Sequence, residues 1–375
     1  MGQEEFEVEV LSWLSKLQRL EEPYRLDGER LEKVKGWVRR RRPFDHAYKY
    51  IARHILGLDE FKNMVALANI SPFHPVHTVI VGDPSTGKSQ VALSFQAITP
   101  RCVFRFGSGL TKAGARVARL GNRLMEGLLP KAHVGCAMVD EFNLLSEEDR
   151  GAFLSAMQDG CFNVEHGNLK LDYVPAKCSV IAMANPKGYF FMSRNPYMIK
   201  KQLPFEDLAL LTRFHLVFVL LRPTPEEFRE ISTHQLEFRV KNPRSGLAFS
   251  NDEVGLWRDA VEYLRRCRAR WGGKRRLKLE LIAAFTGEAY RQDYRRGLAV
   301  PLSPRLNEGI ANLAEAYAKA GWRFTVSVKD VLRAIRIVGL LLKDCGLDAD
   351  RAFRQVNRVL KAYGEPYRFE GGEIV

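Results

Sequence analysis

Hydrophobic and polar positions follow two different periods along this 375-residue chain. His77-Thr78-Val79-Ile80-Val81 is a short β-branched run that reads as a buried strand, and Ser89 to Phe95 takes helical spacing. Val134 to Val139 and Cys178 to Pro186 are further apolar runs of strand type, the first ending at Asp140 and Glu141, the second carrying Asn185. Ser146-Glu147-Glu148-Asp149 opens a helix, with acids suited to its positive end. Strands separated by helical patterns predict an α/β sandwich around a mostly parallel sheet. "CFNVEHGNLKLDYV" (Cys161 to Val174) alternates, breaks at His166-Gly167-Asn168 and alternates again, which predicts a hairpin. Ahead of the core, "EVLSWLSKLQRLEEPYRLDGERLEKVKGWVRRRR" predicts two short amphipathic helices broken near Pro23 and Gly28. "VKNPRSGLAFSNDE" (Val240 to Glu253) has the composition of a linker.

The residues between the first strand and its helix carry chemistry. Gly82-Asp83-Pro84-Ser85-Thr86-Gly87-Lys88-Ser89 fits G-x-x-x-x-G-K-[ST] without a gap. Glycines let successive N–H groups curl toward one point, and a helix N-terminus adds positive potential there. Lys88 can then reach the β- and γ-phosphates of ATP, and the Ser89 hydroxyl can ligate Mg²⁺. A glycine turn that matches by chance would lack the strand before it and the helix after it. At the end of the second strand, Asp140 can hold the Mg²⁺ water shell while Glu141 orients or deprotonates the attacking water.

Composition adds one strong hint. Hydrophobic content of 46% and charged content of 27% are ordinary for a globular protein. The net charge of +14 is not, and it points to a polyanionic partner or, more blandly, to solvated cationic faces. Basic residues concentrate at Arg39 to Arg42 and in "RRCRARWGGKRRLK" (Arg265 to Lys278), where Arg275, Arg276 and Trp271 could contact phosphates and a base. No apolar run reaches the ~18–20 residues of a membrane span, and "MGQEEFEVEV" lacks a signal-peptide core. A cytoplasmic or nucleoid-associated location is therefore expected. Six scattered cysteines without a C-x-x-C pair suggest reduced thiols, and His74 and His77 lack the partners of a metal site.

Several stretches together carry a resemblance: "GDPSTGKSQ", "GSGLT", "DEFNLLSEEDR", "SVIAMANP", "LLTRFHLVFVL", "LSPRLNEGIANLAEA" and "TVSVKDVLRAIRIV". In order and spacing they resemble the minichromosome maintenance (MCM) helicases among the AAA+ ATPases. The resemblance implies an α/β fold, an AAA+ P-loop αβα core with a parallel central sheet followed by a small all-helical lid. It divides the chain into an N-terminal helical extension (1–45), the ATPase core (46–238), a linker (239–252), the lid (253–345) and a tail (346–375). It places Ile55 and Leu56 in the adenine pocket and extends the nucleotide loop to Gln90. Asn185 would be sensor 1, Arg213 an arginine finger reaching a neighbouring subunit's γ-phosphate, and Arg305 sensor 2. An arginine suits both tasks because its charge is permanent and its planar fork spreads over phosphate oxygens.

Some positions depart from the family. Asn143-Leu144 replaces Asp-Lys after the acid pair and its phenylalanine, and "RFH" replaces "RFD" after the finger. The hairpin tip, where the family carries a DNA-touching lysine, has His166, with Lys170 a few residues on. About forty-five residues precede the core in this sequence, where the family carries a DNA-binding N-terminal region, and residues 346–375 are short for a winged helix. Two functions follow as expectations. One is an ATPase in a homo-oligomeric ring that hydrolyses ATP at subunit interfaces and acts on single- or double-stranded DNA as a helicase or remodelling motor, with replication proteins as partners. The other is a low-turnover relative that serves as a DNA-binding or helicase-accessory protein, or a MoxR-like protein-remodelling ATPase.

Overall fold

A computed structural model describes residues 3–121, 123–166, 169–205, 208–241 and 246–375. Its strands in chain order are β1 (Thr78–Gly82), β2 (Cys102–Phe106), β3 (Val117–Leu120), β4 (Arg123–Glu126), β5 (Gly135–Asp140), β6 (Cys161–His166), β7 (Leu169–Pro175), β8 (Cys178–Ala184), β9 (Leu216–Leu220), β10 (Phe369–Glu370) and β11 (Glu373–Ile374). Five of them form the central sheet in the order β2-β5-β8-β1-β9. Every pairing in it is parallel. Strands β1, β5 and β8 are buried along their whole length, so their sequences read as unbroken apolar runs instead of alternating ones. The α/β sandwich around a parallel sheet thus stands as expected.

β6 and β7 pair as the expected antiparallel hairpin. Its tip, Gly167 and Asn168, and the side chain of His166 lie outside the described residues, as does the middle of the linker at 242–245. A second hairpin, β3–β4, was not anticipated. "VARL" and "RLME" flank Gly121-Asn122, a turn signal that was there to be read. The N-terminal helix Gln3–Arg19 lies against this hairpin: Trp13 Nε1 donates to Glu126 at 3.1 Å, and the Arg119 guanidinium sits 4.0 Å from the Phe6 ring centroid.

The helices beyond the linker divide differently from the sequence reading. Arg275–Arg296, Arg305–Ala320, Val328–Leu341 and Ala349–Ala362 pack together. Phe353 meets Phe285 at 6.1 Å, and a Cβ on Gly339 would come within 2.6 Å of the Phe353 ring. The segment read as a tail from 346 is therefore a wall of this bundle. Helix Asn251–Arg266, read as the start of the lid, instead braces the core against the N-terminal helices. A capping box of Ser250 and Glu253 starts it. Glu253 accepts from Trp37 Nε1 at 3.1 Å, and Asp259 pairs with Arg30 at 2.6 Å. On the core side, Trp257 Nε1 donates to Thr99 Oγ1 at 3.0 Å, and Arg258 Nε to the Ile98 carbonyl at 3.2 Å.

Trp257 is the pivot of that brace. It is fully buried, stacks on Phe44 at 4.7 Å and also meets Phe249 and Phe95. Truncating a large buried aromatic costs about 3–5 kcal/mol. Trp257→Ala should therefore lower the urea midpoint strongly, while Trp257→Phe, which keeps the ring stack, should recover more than half of the loss. Equal midpoints for parent and Trp257→Ala would remove the brace from the account.

Candidate active site

The end of β1 turns into helix Lys88–Ile98 through the P-loop. Gly87 caps the helix with φ 88°, and a Cβ there would lie 2.9 Å from Ile55 Cγ2. Ile55 thus packs directly on the loop, whereas neighbouring Leu56 is 38% exposed. Lys88 Nζ folds back on the loop, donating to the carbonyls of Gly82 at 2.7 Å and Asp83 at 2.8 Å and to Thr86 Oγ1 at 3.1 Å. Burial pushes this ammonium down to about 8, against the pull of the Asp140 and Asp83 carboxylates.

Asp83 does a job that the loop pattern did not disclose. Its carboxylate is buried and accepts from the backbone N–H of Phe191 at 2.7 Å and of Arg222 at 2.8 Å. It clamps the segments leaving β8 and β9 to the loop; its side chain does not face the phosphate cradle. Pro84 is half-buried, Ser85 is exposed with φ 63°, and Gln90 is exposed on the following helix.

β5 delivers the acid pair. Asp140 Oδ2 accepts from Ser89 Oγ, and Asp140 Oδ1 accepts from the Glu141 N–H at 2.8 Å. Glu141 itself is left-handed at φ 52°, a conformation that costs an L residue about 1–2 kcal/mol. Gly107 in "GSGLT" makes room for it, since a Cβ there would lie 2.5 Å from the Glu141 carbonyl oxygen. Asn185, just beyond β8, donates its N–H to Asn143 Oδ1 at 3.3 Å. The substituted Asn143 thereby ties the Asn185 backbone to the turn that follows the acids. Lys88, Ser89, Asp140, Glu141 and Asn185 all stand at the carboxyl ends of parallel strands, where open α/β sheets hold their ligands.

Arg213 and Arg305 stand together, but elsewhere. Arg305 Nη1 donates to the Arg213 carbonyl at 3.2 Å, and Arg213 Nη1 donates to Gln158 Oε1. Next to Gln158, the Met157 carbonyl accepts from His77 Nε2 at 3.1 Å, and His77 immediately precedes β1. β1 pairs with β9 from Thr78↔Leu216 to Gly82↔Leu220, so at ~3.3 Å per residue about 13 Å of strand separate the two ends. The arginines lie at the amino end of the sheet, the P-loop at the carboxyl end. His215, where the family has aspartate, stacks on His77 at 5.0 Å and accepts its N–H at 2.9 Å. Burial, with Arg305 adding to it, holds the His215 imidazole down at about 4.

The basic stretch Arg265 to Lys278 comes apart in the fold. Arg265 is buried and donates to the carbonyls of Asn69 and Pro100, Arg266 to that of Leu20, and Lys278 to those of Gly272 and Val326. Trp271 is partly buried with its Nε1 on Glu315 at 2.7 Å, so it is a packed residue and not a platform for a base. Arg275 and Arg276 remain exposed at the start of helix Arg275–Arg296, Arg276 beside Glu280 at 2.8 Å. Lys170, on β7, is exposed and 3.4 Å from Glu165. His74 pairs with Glu315, and no group of three metal-compatible side chains occurs among the described residues.

The MCM P-loop domain matches residues 30–239, more than half of the chain. The chain belongs to the MCM family. It is 28% identical over 345 residues to the minichromosome maintenance protein MCM of Saccharolobus solfataricus, covering 86% of this chain and 48% of that protein. It is 24% identical over 365 residues to the DNA replication licensing factor MCM4 of Arabidopsis thaliana, covering 88% of this chain and 41% of that one. A probable DNA helicase MCM8 from the same plant is 35% identical over 167 residues, 42% of this chain and 20% of the relative. The chain spans about half the length of these MCM relatives or less. An MCM P-loop domain is an AAA+ nucleotide-binding fold, and no described helix is long and apolar enough to cross a membrane.

The Lys88 ammonium gives this MCM chain a pH signature. Burial lowers its pKa to about 8 in the free protein, and a bound triphosphate, which favours the charged form, would raise that value. Affinity is then full below the free-state value and falls as pH rises through it. The ATP dissociation constant should be flat below about pH 7 and rise by up to tenfold per unit above pH 8. Titrations of Lys88→Ala should be weaker at every pH and lack the slope; a parent curve flat to pH 10 would contradict the assignment.

Proposed function

We propose that this chain is a ring-forming ATPase whose sites are completed by a neighbouring copy, and that it works on DNA. The observation that carries the proposal is the separation of the two halves of the site. Lys88, Glu141 and Asn185 gather at one end of the sheet, while Arg213 and Arg305 gather at the other, on a second face. An arginine on Gln158 cannot reach a phosphate held in its own P-loop. Placed against the next copy's loop, the same pair becomes a two-pronged phosphate clamp.

Within one site each residue has a limited task. The loop N–H groups and the positive end of helix Lys88–Ile98 hold the phosphates, and Lys88 exchanges three contacts within the loop for phosphate oxygens. Ser89 and Asp140 are hard oxygen donors already side by side, one hydroxyl and one carboxylate. That set fits Mg²⁺, which binds few protein oxygens and keeps water and phosphate for the rest. The ion would neutralise charge on the phosphates. Glu141 would accept the proton of the attacking water, its strained backbone keeping the carboxylate fixed at the strand end. Asn185, tied to Asn143, would hold that water in line.

The DNA reading draws on the relatives' names, helicase and licensing factor, and on the +14 charge. Lys170 on the hairpin, with His166 at its end, and Arg275 and Arg276 are the candidate contacts. Such contacts are electrostatic, so log K on single strands should fall by ~0.7 per neutralised phosphate as log salt rises. Arg275→Ala with Arg276→Ala should flatten that slope by up to about 1.4 and leave ATP binding alone. Binding that does not depend on salt would sink the DNA reading.

Hydrolysis is tested by steady-state turnover with and without single-stranded DNA. Glu141→Gln should still bind ATP but turn over at least ~10²-fold more slowly. Arg213→Ala and Lys88→Ala should each be inactive alone, yet regain activity when mixed, because one intact interface can form from two defective chains. Failure to rescue in confirmed mixed assemblies would argue against a shared site, and an ATP-binding parent without turnover would favour the accessory role.

A further inference from the structure

Two arginines at the end of helix Gly28–Arg41, Arg39 and the capping Arg42, line a cavity of about 350 Å³ that no step above uses. Its walls come from that helix and Asp45, from Ala320, Gly321 and Arg323 at the end of helix Arg305–Ala320, from Ser327, Lys329 and Arg333 at the start of helix Val328–Leu341, and from Tyr367. Five cations line it, Arg39, Arg42, Arg323, Lys329 and Arg333, against one carboxylate, Asp45.

Three of the cations are held in place. Arg323 is gripped by both oxygens of buried Asp330, at 2.7 and 2.6 Å. Arg42 lies 2.5 Å and Arg333 3.5 Å from Asp45, Arg42 with a left-handed backbone at φ 48°. Arg39 and Lys329 are exposed and have no carboxylate partner among the described residues. Ser327 caps the helix beneath them, adding the partial positive charge of its N-terminus. Fixed like charges around a small cavity repel one another until an anion enters. The adjoining cavity of about 430 Å³ shares Arg42, Asp45, Lys329 and Arg333, but Asp59, Glu60 and Glu373 offset its cations. Anion preference belongs to the first cavity.

A second feature narrows the ligand. The Asp45 side chain is 7% exposed, and its Oδ1 is buried without a hydrogen-bond partner. A buried unpaired acceptor is costly and calls for a donor. Sulfate at neutral pH has no O–H to give, whereas inorganic phosphate and a sugar phosphate each offer both the anion and a hydroxyl. We propose that this cleft binds a phosphate that carries a hydroxyl, as inorganic phosphate or as a ribose phosphate, free or as a unit of an RNA backbone, at a site separate from the P-loop.

The test is calorimetric titration of the full chain with ribose 5-phosphate, inorganic phosphate and an oligouridylate. One ribose 5-phosphate should bind per chain, as should one inorganic phosphate, and equally well in Lys88→Ala. Arg39→Glu with Lys329→Glu, two exposed positions, should weaken both at least about tenfold, and Arg39→Lys with Lys329→Arg should restore them. If the oligouridylate competes and is weakened by the same pair, the source is RNA; if it does not compete, the source is the small molecule. The proposal is overturned if neither inorganic phosphate nor ribose 5-phosphate binds, if the charge-reversed pair binds them as well as the parent, or if Lys88→Ala abolishes binding.

Discussion

Asp83 carries a carboxylate with almost no solvent contact, and both of its oxygens are taken by backbone N–H groups from outside the P-loop. Charge-assisted bonds of that kind contribute about 1.5–3 kcal/mol each, but their placement matters more than their sum. One comes from Phe191, past the end of β8, and the other from Arg222, past the end of β9. Since β1 lies between those two strands, the clamp fixes three strand ends around the loop. Lys88, Asn185 and the entrance to the loop all inherit their positions from it. Burying an unpaired carboxylate would be prohibitive, so the loop holds its shape only while both neighbouring segments are in place.

The acid end of the site depends on a different constraint, close approach of backbone to backbone. Glu141 adopts a left-handed conformation that its side chain disfavours, and Gly107 leaves the space its carbonyl occupies. Asp140 contributes twice, once to the Ser89 hydroxyl and once to the Glu141 N–H. Asn143 extends the same linkage to Asn185. The strain is local and is balanced by contacts on every side, as expected where a carboxylate must be held for chemistry.

At the opposite end of the sheet the chemistry is deliberately quiet. Burial of His77 and His215 keeps both imidazoles from charging easily, in keeping with the arginines nearby. The stacked pair anchors the start of β1 to β9 and leaves Arg305 and Arg213 as the charged groups there. Much of the basic stretch Arg265 to Lys278 is likewise structural: Arg265, Arg266 and Lys278 donate to backbone carbonyls of other segments. Net positive charge in the sequence is therefore a poor guide to where the positive surface lies.

The parts of this protein that depend on neighbours in sequence were legible from sequence. The P-loop, its strand and its helix lie within a few residues, as do the acid pair on β5 and the β6–β7 hairpin, so local periodicity and residue type were enough to place them. Even the β3–β4 hairpin had the sequence Gly121-Asn122 between its strands in plain view. Tertiary structure alone decided which cations were free, because whether Arg265 or Arg276 meets solvent depends on elements far away in the chain. It also decided that Asp83 and Asn143 would serve as clamps, since their partners lie 108 and 42 positions away. Finally, it decided that Arg213 and Arg305, 92 positions apart, would meet at the end of the sheet remote from the P-loop. Strand direction sets that separation, and strand direction is a property of the sheet and not of any single strand.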